Sequence, residues 1–164
     1  MLGYVLDDNP LWFCEYVMEA RKLATFDDLL AAWRNDERLE LINGEIVKRS
    51  APRAEHGAAQ LDIGTELAPY RKKSGMGGWW IMAEISVRYN EHQAPIHDLA
   101  GWRKERVSER PTGVMGIAPD WVGEITSPGH EKKDYLDVFM ILQKHQVPYY
   151  WIISPEDQSL LAYK

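Results

Sequence analysis

The sequence predicts an α/β (α+β) fold, a mixed β-sheet flanked by helices, within one ordinary domain of 164 residues. Three observations carry that reading. Helical and strand-like segments follow one another as helices, a hairpin, a helix, three strands, a helix and two strands. Asn43-Gly44 sits between two β-rich runs, and both positions of such a turn need positive φ. Ile96 to Trp102 and Asp120 to Thr126 are short, nearly continuous apolar runs bounded by turn residues, as buried strands are.

Each element has a local reason. Asp8-Asn9-Pro10 is a cap followed by a helix-starting proline, and Leu11, Trp12, Phe13, Tyr16, Val17 and Leu23 give residues 8 to 23 an aromatic-rich helical content. Thr25-Phe-Asp-Asp28 opens a second helix with a variant of the capping box, its apolar side formed by Leu29, Leu30 and Trp33. The hairpin covers Leu39 to Val47 and carries Glu40 on its first strand. His56, Gln60, Ile63, Leu67 and Tyr70 recur at helical spacing, so a third helix is expected from about Glu55 to Lys72, closed by Gly75-Met-Gly-Gly78. Trp79 to Tyr89 and Ile96 to Trp102 are strands. Lys104 to Gly116 is polar with Pro and Gly, a loop that could serve as a lid. After the Asp120 to Thr126 strand, Ser127-Pro-Gly129 breaks the chain and a helix is expected from about His130 to Lys144. Pro148 ends it, and Tyr149 to Ile153 pairs with Ser159 to Tyr163 around Ser-Pro-Glu-Asp.

Composition narrows the function. Hydrophobic residues make up 45% of the chain, with seven Trp and eight Tyr, which argues against a disordered chain. The single Cys14 excludes an intramolecular disulfide and a Cys-rich zinc site. No basic-then-apolar leader opens the chain and no apolar run approaches the roughly 18 residues of a membrane span, so a cytoplasmic protein is expected. A net charge of −6 argues against a broad basic coat on nucleic acid, though not against an enzyme using a metal and a local basic strip. Such strips stand at Arg71-Lys-Lys73, at Arg103-Lys-Glu-Arg106 with Arg110, and at Lys132-Lys133.

The chemistry is concentrated in two acids. Asp98 and Glu124 each stand in an otherwise apolar strand, where an unpaired charge costs several kcal/mol or takes up a proton. Each acid taken singly reads as a strand end reaching solvent. Two on adjacent strands point instead to a hard divalent cation, Mg2+ or Mn2+, bound by oxygen and used on a phosphate. Other candidates are weaker. Gly75-Met-Gly-Gly78 lacks the Lys-Ser/Thr of a phosphate loop and precedes a strand. Ser127 and Cys14 have no adjacent base. Trp79, Trp80 and Trp102 could stack bases, but large aromatics more often fill a core.

The ordered set Glu40-Leu-Ile-Asn-Gly-Glu-Ile46, His56, Asp98-Leu-Ala, Glu124-Ile-Thr-Ser-Pro128, Asp134 and Val147-Pro-Tyr-Tyr-Trp-Ile-Ile153 resembles the Uma-two family of restriction-endonuclease-like proteins in the PD-(D/E)XK nuclease superfamily. The resemblance covers about residues 25 to 163. It implies a nuclease domain over 25–164 preceded by a helical extension over 1–24. It also implies metal-dependent hydrolysis of DNA phosphodiesters, with Asp98 and Glu124 holding Mg2+ or Mn2+ and Glu40 and His56 completing the pocket. A homodimer would address two strands. Two positions depart from the pattern. His97 stands where a proline commonly precedes the first acid. The superfamily lysine two residues after the second acid is replaced by Thr126, and the lysine this family usually carries in the following helix by Val138. Lys132, Lys133 or Lys144 could substitute, and Lys133 is the choice because it lies near the start of that helix. The rival reading is a catalytically silent nucleic-acid-binding or regulatory module on a nuclease scaffold.

Overall fold

Thr25 caps the first described helix, α1 (Phe26–Trp33), by accepting the Asp28 N–H at 3.3 Å while the Asp28 carboxylate accepts the Thr25 N–H at 2.8 Å. The reciprocal bonds satisfy two donors that a helix start otherwise leaves unpaired. Phe26 and Leu29 are buried, and Leu30 on the next flank is exposed. The computed structural model describes residues 22–72, 77–126 and 133–164, with 133–135 described by backbone alone. The helix expected from Asp8, up to residue 21, and the first half of the Gly75 to Gly78 closure lie outside the described residues.

Strands β1 (Leu39–Ile42) and β2 (Glu45–Lys48) form the expected hairpin, with Asn43 at φ 52° and Gly44 at φ 72°. Leu41 fastens this small sheet to the chain before β4 through paired backbone bonds with Ala94, at 2.8 and 3.2 Å. Helix α2 (Ala54–Glu66) is shorter than its spacing suggests. Pro69 has no N–H to continue the α pattern, and the chain tightens into a 3-10 turn over Ala68–Arg71.

The main sheet runs β3-β4-β5-β6-β7: β3 (Trp79–Ser86), β4 (Ile96–Arg103), β5 (Trp121–Ile125), β6 (Tyr149–Ser154) and β7 (Ser159–Tyr163). All neighbours are antiparallel except β5 and β6. A parallel pair needs a long crossover, and the helix between these strands supplies it. That helix is not uniformly α. Residues Lys133–Val138 are wound as a π-helix and only α3 (Phe139–Lys144) is regular. Across the join Val138, Ile141 and Leu142 are buried, while Leu136 and Met140 face out.

The core lies between this helix and one sheet face, built from Ile85, Val87, Ala100, Trp102, Val122, Tyr150 and Ile152 with Val138 and Leu142. Along β3 and one residue beyond it, Trp80 and Met82 pack on the cluster before Glu84, and Ile85 and Val87 belong to it afterwards. Glu84 itself has φ 50°, so the alternation changes phase at this residue. The loop after β4 is pinned down. Trp80 Nε1 donates to the Val107 carbonyl and Trp102 Nε1 to that of Ile117, both at 2.9 Å, and Arg106 Nε meets Asp120 at 3.1 Å. The loop therefore belongs to the core wall and supplies none of the lining of the cleft described next.

Candidate active site

Strand register builds the site. Ala83 pairs with Leu99 and Ile85 with His97, which sets Glu84 across from Asp98. Leu99 pairs with Gly123, so one step further Asp98 stands across from Glu124. Three acids thus lie at one level on β3, β4 and β5. The β4–β5 ladder ends just there, and carboxylates take over from backbone carbonyls. Asp98 Oδ2 accepts the Ile125 N–H at 2.7 Å, and Glu124 Oε2 accepts the Asp98 N–H at 3.4 Å. The hairpin adds the buried Glu40, whose Oε2 accepts the Ile96 N–H at 3.2 Å.

Helix α2 brings one face to the same place. His56 and Gln60, four residues apart, share that face. His56 Nε2 lies 3.3 Å from Asp98 Oδ1, and Gln60 Nε2 donates to Glu84 at 2.9 Å and to the Asp98 carbonyl at 2.8 Å. From the end of β2, Arg49 reaches Glu84 at 2.6 Å and also ion-pairs with Asp98. Arg49, His56, Glu84 and Asp98 line a cleft of about 790 Å³ together with Glu124, Asp137 and Val138.

Behind the cleft, Glu124 is held by a buried chain. His97 Nδ1 lies 2.5 Å from Glu124 Oε1, and the Tyr89 hydroxyl lies 2.9 Å from His97 Nε2. Burial first, and then the Glu124 charge, push the Tyr89 phenol above its ordinary range, so it stays protonated. The two contacts together hold the His97 ring and the Glu124 carboxylate in one orientation. His97, which the sequence offers only as a replacement for proline, is thus the direct partner of the second acid.

The donor set fits a divalent cation. One ligand atom each from His56, Glu84 and Asp98 lies within 4.8 Å of the others. Oxygen donors suit Mg2+ and Mn2+, and an imidazole among them leans toward Mn2+. Glu124, Glu40 and Asp98 gather in one cleft as the sequence suggests, and Glu84 joins them. Lys133 begins the π-helix, and its side chain lies outside the described residues, as does all of Lys132; Lys144 ends α3 and does not line the cleft. Val138 does line it, contributing a buried apolar side chain where the family's lysine is expected. Of the basic strips, Arg103 stacks on Trp79 and Lys104 on Trp80, each 4.5 Å from the ring centre.

Two opposed shifts set the pH response of the ion-free protein. The hydrogen bond to Asp98 raises the His56 pKa against the opposing effect of burial. Its stabilisation is complete below the unfolded value near 6.5 and lost as pH rises through the raised folded value. Burial pushes the Asp98 carboxyl up, but the His56 bond and the Arg49 charge outweigh it and the pKa falls. That contribution is present above the unfolded value near 3.9 and lost as pH falls through the lowered one. Thermal unfolding in EDTA should therefore peak at roughly pH 5–6. In His56→Gln the decline on the alkaline side should vanish; an identical alkaline limb in that variant contradicts the assignment.

This fold is shared with a crystal structure described as a putative nuclease from Anabaena variabilis. The two chains are 24% identical, with 85% of this chain and 79% of the other covered at a TM-score of 0.72. A five-stranded mixed sheet flanked by helices, with acids gathered at one end of its central strands, defines a restriction-endonuclease-like protein. A family model, Uma2, described as "Putative restriction endonuclease", matches residues 23–164, and the chain belongs to this family. No curated protein matches the chain. Among the described residues no helix is long and apolar enough to cross a membrane.

Proposed function

We propose that the protein is a Mg2+- or Mn2+-dependent endonuclease that hydrolyses DNA phosphodiesters, working as a homodimer so that each strand of a duplex meets one site. The observation that carries this reading is the convergence of Asp98, Glu84 and His56 in a single cleft, with Glu124 one strand away. Asp98 and Glu124 would hold the ion, with Glu84 and His56 within reach of it and Glu40 setting the approach of β4. A bound cation would supply Lewis acidity to the phosphate and lower the pKa of a coordinated water. The chain's own part is positional. The β4–β5 ladder end fixes Asp98, the Tyr89–His97 chain fixes Glu124, and Gln60 holds α2 against both acids on β3 and β4. His56, in the first turn of α2, is placed to contact phosphate or relay a proton. Lys133 keeps its proposed role of balancing charge on the phosphate.

Incubating the protein with supercoiled plasmid and Mn2+ tests this directly. Nicking that EDTA stops is the expected result. Binding of plasmid without nicking at any Mn2+ or Mg2+ concentration would replace the enzyme with a silent binding module, a reading favoured by the apolar Val138 in the cleft.

A further inference from the structure

The cleft gathers more negative charge than its histidines, His56 on Asp98 and His97 on Glu124, can balance. Seven acidic residues line it, and three of them, Glu40, Asp98 and Glu124, are nearly inaccessible to solvent, with Glu84 beside them. Such a group of like charges is unfavourable without a cation. Thr126 offers none, since its hydroxyl donates to the Ile153 carbonyl at 3.3 Å, and Val138 is apolar. Arg38 and Lys48, at the outer rim, pair with Asp36 at 3.4 and 2.6 Å and are more than half exposed. Arg49 reaches in: its guanidinium pairs with both Asp98 and Glu84 and is only 19% exposed.

We propose that Arg49 is a working cation of this active site, beside the role proposed for Lys133, and that it exchanges between two tasks. In the ion-free protein it is the internal counter-ion that keeps Asp98 and Glu84 in place. When a divalent ion takes those carboxylates, the guanidinium is released to the scissile phosphate and balances the charge that develops there, the work a lysine does elsewhere in the superfamily. The proposal rests on the endonuclease reading above. Its geometry permits the exchange. The Arg49 N–H bonds the Arg38 carbonyl at 2.9 Å, continuing the β1–β2 ladder and fixing the residue's Cα at the cleft wall. The side chain beyond is long, and its planar fork suits phosphate oxygens as well as carboxylates. A guanidinium and a divalent ion on the same two carboxylates repel each other and divide the acids' charge, so binding of the one weakens binding of the other.

That competition gives a readout independent of cleavage. Mn2+ affinity, measured without DNA from the spin-resonance signal of free Mn2+, should tighten by about fivefold or more in Arg49→Ala, the size of an ordinary coupling between two ligands. Plasmid nicking by the same variant should fall by about 10²–10³-fold, and Arg49→Lys should recover part of it. Arg49→Lys keeps the charge should the alanine variant prove unstable, and its Mn2+ affinity should stay near that of the parent. Unchanged or weaker Mn2+ binding in Arg49→Ala overturns the exchange; undiminished nicking, or a folded lysine variant as inactive as alanine, overturns the phosphate role. If the parent protein itself does not nick DNA, the endonuclease reading fails, while the Mn2+ comparison still decides whether Arg49 and metal share the acids.

Discussion

Asp98→Asn is expected to bring metal-dependent plasmid nicking down by on the order of 10²–10³-fold or more, with Mn2+ binding weakened in parallel. Among the described residues Asp98 joins three elements of the cleft, β2's end, α2 and β5. It pairs with Arg49, lies 3.3 Å from His56 and accepts the Ile125 N–H, and its own N–H points to Glu124. Asparagine keeps an oxygen for Ile125 but gives up the charge that a hard cation requires. Asp98→Ala should in addition destabilise the fold. At 2% exposure and paired with Arg49, its loss leaves a guanidinium partly unneutralised, and removing one member of a buried pair costs about 3–5 kcal/mol. Glu84 still faces Arg49, so the lower end of that range applies. Asp98→Asn should be milder, which makes it the better probe of activity. Nicking at the parental rate in a folded Asp98→Asn protein would remove this residue from the reaction.

The largest stability effect should come from Trp102→Ala. Trp102 has no exposed surface, pairs with Trp80 across β3 and β4, and packs within the main cluster. Truncating a buried tryptophan costs about 3–5 kcal/mol. For a domain of this size that is a fall in midpoint of about 6–20 °C. The indole N–H also anchors the loop after β4 through Ile117. Amide exchange should therefore quicken over residues 106 to 118 more than in the β1–β2 hairpin, whose anchor is Ala94. A midpoint within about 2 °C of the parent would mean that the loop does not depend on this side chain.

Much of the scaffold is legible in local pattern because its causes are local. The Thr25–Asp28 box and the Asn43-Gly44 turn each depend on four residues or fewer, and both stand where expected. Glu124 and Asp98 are legible because acids are costly inside apolar strands. The same logic applies to Glu84, a lone acid in Trp-Trp-Ile-Met-Ala-Glu-Ile, which that rule could have found. The π-helical winding of Lys133–Val138 had no such sign, since its apolar spacing resembles that of an ordinary helix.

Arg49 and His97 could not be assigned from sequence. Arg49 lies 49 residues from Asp98 and His97 lies 27 from Glu124, and nothing in either neighbourhood names the partner. By itself, the chain's order of residues determined a mixed α+β scaffold, its hairpin, and two acids too costly to bury without purpose. The tertiary structure alone decided which groups answer those charges. Strand register and the docking of α2 bring together side chains from separate segments, and electrostatic pairing depends on distance in space rather than along the chain.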